Sequence, residues 1–140
     1  MRMHLIVDAN VLFSALIRPN DTFLLLFEDA LELHAPAYLL EELAEHRDEI
    51  AAKTSLEAGK FDQVLERISS RIRLAPWAAL AAKEAEAMRI SPDAGDVPYF
   101  ALALLLGPDV RIWSNDKKLR NQNHVPIIST SELVHIFYKR

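Results

Sequence analysis

Two aspartates follow short apolar segments of the sequence, where carboxylates are unusual. Asp8 comes directly after LIV at positions 5–7, and Asp116 follows RIW at 111–113 with the polar residues Ser114 and Asn115 between them. Burying an unpaired carboxylate costs on the order of several kcal/mol, so such a group must be hydrated, paired or bound to a cation. Each aspartate alone is equally well explained as a turn residue or a helix N-cap. Their shared position is the first indication of a functional site.

Three further carboxylates lie where they can reach the same place. At about 100° per residue, Glu42 falls at the border of the apolar stripe of its predicted helix, from which it can reach into a cleft. Asp93 and Asp96, three residues apart, precede an apolar helix and can face the same side. The plain alternatives are a solvated glutamate for Glu42 and, because Pro98 suits the first helical turn, an N-cap for Asp96.

Convergence of these carboxylates would predict a site for a hard cation. Three or four carboxylates with little basic compensation repel one another strongly unless a cation lies among them. The expected ion is Mg²⁺ or Mn²⁺. Such a site positions phosphate oxygens, neutralises developing charge and lowers the pKa of a bound water, which is the chemistry that phosphodiester hydrolysis requires.

Whether these carboxylates converge depends on the strands and helices that carry them. Along the chain, apolar segments typical of strands alternate with helical patterns. This order predicts a three-layer α/β/α fold with a central parallel sheet of about four to five strands. In such sheets ligands bind outside the carboxyl ends of the strands, where the strand order reverses. The predicted strands cover 4–9, 32–36, 71–76, 111–113 and 125–129, and the predicted helices cover 11–17, 21–32, 36–52, 55–71, 77–90, 97–106, a short turn at 117–118 and a segment from Ser129, where Ser129 and Glu132 form a capping box.

The composition is that of an ordinary globular protein. Of 140 residues, 51% are hydrophobic and 26% are charged, so we expect a single domain over residues 1–140. The absence of cysteine excludes disulfides and thiolate metal sites, and the three glycines provide no phosphate-binding loop. No segment suggests a signal peptide or a membrane span, so we expect a cytoplasmic protein with no membrane association. The net charge of −4 means that a nucleic-acid substrate would need a local basic patch.

Four motifs resemble those of PIN domains and occur in the same order: IVDANVLFSAL, LLEELAEH, DAGDVPYFALAL and IWSNDKKL. The resemblance spans nearly the whole chain. It implies a parallel sheet with an acidic pocket that binds Mg²⁺ or Mn²⁺ and cleaves single-stranded or structured RNA. Many small prokaryotic members resemble toxins of the VapC type, which implies an antitoxin partner and a homodimer. The residues implied for the site are the acidic quartet Asp8, Glu42, Asp96 and Asp116, a fifth carboxylate at Asp93, and the supporting polar residues Asn10, Ser114 and Asn115.

The leading hypothesis is a metal-dependent ribonuclease. In it Asp8, Asp96 and Asp116 hold the metal directly, and Glu42 binds it or orients the attacking water. The basic residues after Asp116 would contact substrate phosphates, although an ordinary exposed basic helix explains them equally well. These residues are Lys117, Lys118 and Arg120.

Two other functions remain open at the level of sequence. One is an aspartate-based phosphotransfer domain with Asp8 as the nucleophile. It is disfavoured because Asn10 stands where such proteins usually place a second aspartate. The other is a noncatalytic interaction module that acts by binding a partner or itself.

The histidines and most aromatic residues have plainer interpretations. The five histidines show no ligand-like spacing, so structural roles are expected for them. Trp77, Trp113 and Tyr99 lie in apolar stretches and are predicted to belong to the core rather than to a base-stacking surface. The histidines concerned are His4, His34, His46, His124 and His135.

Overall fold

A computed structural model describes residues 2–138 of the chain. Five strands form one sheet: β1 Met3–Val7, β2 Leu31–Pro36, β3 Ile72–Ala75, β4 Arg111–Trp113 and β5 Ile127–Ile128. The α-helices are α1 Ala9–Ile17, α2 Asp21–Leu26, α3 Tyr38–Lys53, α4 Ala58–Ser70, α5 Trp77–Leu80, α6 Glu84–Ile90, α7 Val97–Leu106 and α8 Thr130–Tyr138, with 3₁₀ turns at Ala81–Lys83, Ala94–Asp96 and Lys117–Arg120.

The sheet is parallel throughout, with the strand order β3-β2-β1-β4-β5. The chain builds outward from β1 in one direction through β2 and β3, and then returns to the other side of β1 to add β4 and β5. The strand order therefore reverses between β1 and β4. Asp8 lies just beyond the carboxyl end of β1 and Asp116 follows β4, so both lie where a parallel sheet binds its ligands.

Helices cover both faces of the sheet, which confirms the predicted three-layer α/β/α fold. Side chains alternate between the two faces along β1: Leu5 and Val7 pack into one core with α1, α2, α3, α4 and α8, whereas Ile6 packs into a second core with α7. Both cores are fully buried at their centres, as Trp113 in the first and Phe100 in the second show. No helix within residues 2–138 is long and apolar enough to cross a membrane.

The helix predicted over 21–32 is much shorter in the structure, because β2 begins at Leu31. The side chain of Arg71 lies against the end of α2 and donates hydrogen bonds to the backbone oxygens of Leu26, Glu28 and Leu31. These bonds satisfy carbonyl groups that a longer helix would have satisfied internally. A long-range contact therefore sets this boundary.

Two other boundaries also differ from the prediction. Pro36 ends β2 instead of entering the next helix, and the amide of Ala37 donates the next bond to the backbone oxygen of Ala75 at 2.8 Å. The predicted helix 77–90 is interrupted by the turn Ala81–Lys83, and Leu80 and Ala87 on either side of this turn both pack into the second core. The capping box of α8 is confirmed by reciprocal hydrogen bonds between its serine and glutamate.

Candidate active site

Ser114 joins the two aspartates at the ends of β1 and β4. Its buried hydroxyl donates a hydrogen bond to Asp8 Oδ2 at 2.7 Å and accepts one from the amide of Asp116 at 3.1 Å. The amide of Asp8 in turn donates to the backbone oxygen of Trp113, which extends the pairing of β1 with β4. A single hydroxyl therefore fixes the spacing of the two strand ends and the orientation of one carboxylate.

Helix capping explains only two of the four aspartates at this edge. Asp93 and Asp116 do cap: their carboxylates accept hydrogen bonds from the amides of Ala94 at 2.8 Å and Lys118 at 3.0 Å. Asp8 and Asp96 occupy the N-cap positions of α1 and α7, but neither side chain makes a capping hydrogen bond. The carboxylate of Asp96 therefore has no capping role in this structure, whereas the amides of Ala9 and Asn10 interact with the Asp8 carboxylate and act to lower its pKa.

Glu42 is held by Tyr99, a residue whose sequence context predicted only a core position. The hydroxyl of Tyr99 on α7 donates to Glu42 Oε1 on α3 at 2.6 Å. Tyr99 is buried, so its ring belongs to the second core as predicted while its hydroxyl reaches the carboxylate. This bond opposes the effect of burial, which raises the pKa of Glu42 above its ordinary value.

The pKa of Asp96 responds to the charges of the other four predicted carboxylates. Burial is the main cause that raises the pKa of Asp96 to about 6, and repulsion from Asp8, Asp93, Asp116 and Glu42 adds to it. Burial also raises the pKa of Asp8, where the Ser114 hydrogen bond acts in the opposite direction and Asp116 adds to the rise. Asp96, at the start of α7, is thus coupled to all four of the others.

The donor set of this acidic pocket fits a hard divalent cation. All five side chains offer carboxylate oxygens, the ligands that Mg²⁺ and Mn²⁺ prefer. Among residues 2–138, no three of these carboxylates bring oxygens within 4.8 Å of one another. Such spacing is expected of like charges without a counterion, and a cation would favour closer approach.

The predicted supporting residues differ in where they lie. Ser114 contacts Asp8 directly. Asn10 is exposed and borders a separate cleft of about 620 Å³ between α1 and α3. Asn115 turns toward α8, where it donates to the hydroxyl of Thr130 at 3.0 Å and accepts from its amide at 2.8 Å. Asn115 therefore fixes the start of α8.

The predicted basic residues also differ in their surroundings. Lys117 and Lys118 are exposed in the 3₁₀ turn directly after Asp116. Arg120 forms an ion pair with Glu132 of α8. The two lysines are the cations nearest in sequence to the pocket aspartate, whereas Arg120 would have to leave its partner to contact a substrate.

The prediction that Trp77 belongs to the core is wrong, since this side chain is 52% exposed. It packs edge-on against Tyr38 with ring centroids 5.7 Å apart, and its indole N–H donates to Glu41 Oε2 at 3.1 Å. Tyr38 also contacts Tyr99, so three aromatic rings lead from Glu42 to the surface. The proline before Trp77, which places this residue at the very start of a helix, was the available sequence signal of an exposed position.

Comparison with known proteins assigns the family. A family model for the PIN domain matches residues 6–133, a range that includes all five carboxylates. No curated protein matches the chain significantly. PIN domains typically use divalent metal ions. The extent of the match, together with the parallel sheet and the acidic pocket at its carboxyl edge, places this chain in the PIN domain family, whose members are generally nucleases.

Proposed function

We propose that this protein is an endoribonuclease that depends on Mg²⁺ or Mn²⁺. The observation that carries the proposal is the coupling of Asp96 to the other four carboxylates at the point where the strand order reverses. A carboxylate whose pKa is raised by burial and by several neighbouring charges is characteristic of a functional site. The membership of the PIN family supports hydrolysis over the phosphotransfer alternative that the sequence left open.

In this proposal Asp8, Asp96 and Asp116 hold the cation and Glu42 binds it or orients the attacking water. Ser114 keeps Asp8 in place, and the amide of Lys118 does the same for Asp116. A bound divalent ion would supply positive charge to the phosphate oxygens and acidify a water molecule.

Glu42 is suited to the role of proton acceptor. Burial raises the pKa of its carboxyl group, and Asp8 adds to the rise. A carboxylate with a raised pKa accepts a proton more readily than an exposed glutamate does. Tyr99, a buried residue of α7, donates a hydrogen bond to Glu42 Oε1. This bond fixes the orientation of the Glu42 carboxylate, because Tyr99 is itself held in a packed helix.

The residues proposed to contact RNA lie on either side of the acidic pocket. Lys117 and Lys118 offer positive charge for backbone phosphates directly after Asp116. On the other side, exposed Trp77 offers a ring on which an unpaired base can stack, next to Tyr38 and the Glu42 contact. These features favour single-stranded RNA, whose bases are accessible for stacking.

We further propose a cytoplasmic toxin of the VapC type, inhibited by an antitoxin protein and assembled as a homodimer. This part of the proposal rests on the resemblance of the four motifs. A surface feature in agreement with a protein partner is the apolar cleft of about 320 Å³ lined by Trp77, Met88 and Ala101, among other residues. The same cleft is what favours the alternative of a noncatalytic interaction module.

The decisive experiment compares the wild type with Asp96→Asn on labelled single-stranded RNA. Each protein is incubated with Mg²⁺, Mn²⁺ or EDTA after identical purification, so that the variant controls for contaminating nucleases. We expect internal cleavage by the wild type that disappears with EDTA and in the variant. Equal cleavage by both proteins, or none by the wild type with several RNAs, would overturn the proposal and favour the interaction module.

A further inference from the structure

A second group of donor side chains lies on the sheet away from the acidic pocket. His4 is on β1, and Glu32 and His34 are on β2; His4 pairs in register with Glu32. Residues two apart on a strand face the same side, so all three side chains share one face of the sheet. Among residues 2–138 they are the only three or more His, Asp or Glu side chains whose donor atoms all lie within 4.8 Å of one another.

The spacing of these atoms suits a small transition-metal ion. His4 Nδ1 lies 3.2 Å from His34 Nε2 and 3.7 Å from Glu32 Oε2. Ligands of a tetrahedral Zn²⁺ at about 2.0–2.1 Å lie roughly 3.4 Å from one another. The observed distances lie on either side of that value.

The remaining oxygen of Glu32 is held by an arginine. Arg73 on β3 forms an ion pair with Glu32 Oε1 at 2.9 Å, whereas Oε2 faces His4. Contacts of this kind orient a ligating carboxylate without occupying its ligand atom. The positive charge of Arg73 also partly neutralises Glu32. The imidazoles of His4 and His34 must therefore supply much of the affinity for a metal ion.

The group is accessible and its histidines are suited to bind. The His4 side chain is 46% exposed, so an ion can enter and water can complete the coordination. Burial, and next the neighbouring His4, lower the pKa of His34, which favours the neutral ring that binds metals. Four residues of strand, about 13 Å at 3.3 Å per residue, separate His4 from Asp8.

We propose that His4, Glu32 and His34 form a separate site for a borderline transition-metal ion, Zn²⁺ or the chemically similar Co²⁺ and Ni²⁺. Imidazole nitrogen favours these ions, whereas Mg²⁺ requires oxygen ligands. The ion would cross-link β1 and β2 near the start of the sheet, and so stabilise the fold. This inference does not depend on the nuclease proposal, because it uses none of the pocket residues.

The test titrates Co²⁺ and Zn²⁺ into tag-free protein that carries Asp8→Asn and Asp96→Asn, so that the acidic pocket is impaired. We expect one ion per chain, a visible Co²⁺ spectrum of low-coordinate type, and no competition from excess Mg²⁺. His34→Ala and His4→Ala should each weaken binding at least tenfold, as measured by competition with a chromophoric chelator. His124→Ala, at an exposed histidine elsewhere, should leave it unchanged.

Two outcomes would overturn the proposal. Absence of binding would mean that the two histidines form only a hydrogen-bonded pair beside an ion pair. Wild-type affinity in His4→Ala, or in a folded His34→Ala, would place the ion elsewhere. His4→Ala keeps the test decisive if loss of the half-buried His34 ring prevents folding, because His4 is exposed.

Discussion

At the scale of single residues, Asp96 is the carboxylate whose charge is least favourable. Its pKa of about 6 lies above the ordinary value of 3.8, so the folded state holds its proton more tightly than the unfolded chain does. Ionised Asp96 therefore lowers the free energy of unfolding, and this destabilisation is fully present above about pH 6. It disappears as the pH falls toward 3.8. A charge that lowers the stability of the fold is typical of a functional site.

We therefore expect Asp96→Asn to stabilise the metal-free protein while removing activity. Asparagine removes the cost of burying the charge and also the repulsion from the other carboxylates, and no capping hydrogen bond is lost. Thermal unfolding in EDTA should show a Tm increase of a few degrees at pH 7.5, at roughly 3–5 °C per kcal/mol for a domain of this size. Most of that increase should be absent at pH 4.5. An unchanged or lower Tm at pH 7.5 would contradict the electrostatic crowding.

Ser114 offers a second test at this scale, since one hydroxyl serves both Asp8 and Asp116. Removing a group that orients metal ligands commonly weakens metal binding by about 10–100-fold. We expect Ser114→Ala to lower Mn²⁺ affinity by about tenfold or more in calorimetric titration. Ser131→Ala, at an exposed serine of α8, is the matched control. Equal affinity in the two variants would mean that the bridge does not position Asp8.

At the scale of elements, the short helix α5 places Trp77 beside the pocket. Its ring is held by Tyr38 and by Glu41, both on α3, the helix that carries Glu42. The indole therefore has a defined position relative to the proposed proton acceptor. Stacking of one base on an aromatic ring contributes about 1–3 kcal/mol, or roughly a fivefold to hundredfold effect on binding.

If Trp77 binds a base of the substrate, Trp77→Ala should raise the KM for single-stranded RNA at least fivefold and leave kcat nearly unchanged. Trp77→Phe should restore part of the affinity, because a ring remains for stacking. Leu24→Ala, at a residue 53% exposed on the opposite face of the sheet, should behave as wild type. Steady-state kinetics would contradict the role if the alanine variant retained the wild-type KM.

Elements also show where sequence patterns suffice and where they fail. The alternation of short apolar strands with helices is a local pattern of the sequence. It predicted the three layers and the positions of Asp8 and Asp116 at the ends of two strands. The end of α2 depended on Arg71, 45 residues from Leu26, and the meeting of His4 with His34 depended on strand register. Neither contact has a local signature in the sequence. The role of Tyr99 was hidden for a similar reason, since its ring is core and only its hydroxyl reaches Glu42.

At the scale of the whole molecule, the acidic pocket links metal binding to folding. An ion that binds only the folded state stabilises it by RT ln(1 + [L]/Kd), about 2.7 kcal/mol at a hundredfold excess over Kd. The pocket draws its carboxylates from the ends of β1 and β4 and from the starts of α3 and α7. A bound ion would thus hold together segments that are distant in the sequence and that pack into the two different cores.

Mg²⁺ is the appropriate ion for a test of this link, because the histidine site on the sheet would not bind it. With Mg²⁺ at about a hundredfold excess over its Kd, we expect the Tm at pH 7.5 to rise by on the order of 10 °C. The rise should shrink at pH 5.5, since a proton on Asp96, with its pKa of about 6, competes with the ion. Asp8→Asn combined with Asp116→Asn should fold but show little rise. An equal rise in that variant would place the Mg²⁺ site outside the acidic pocket.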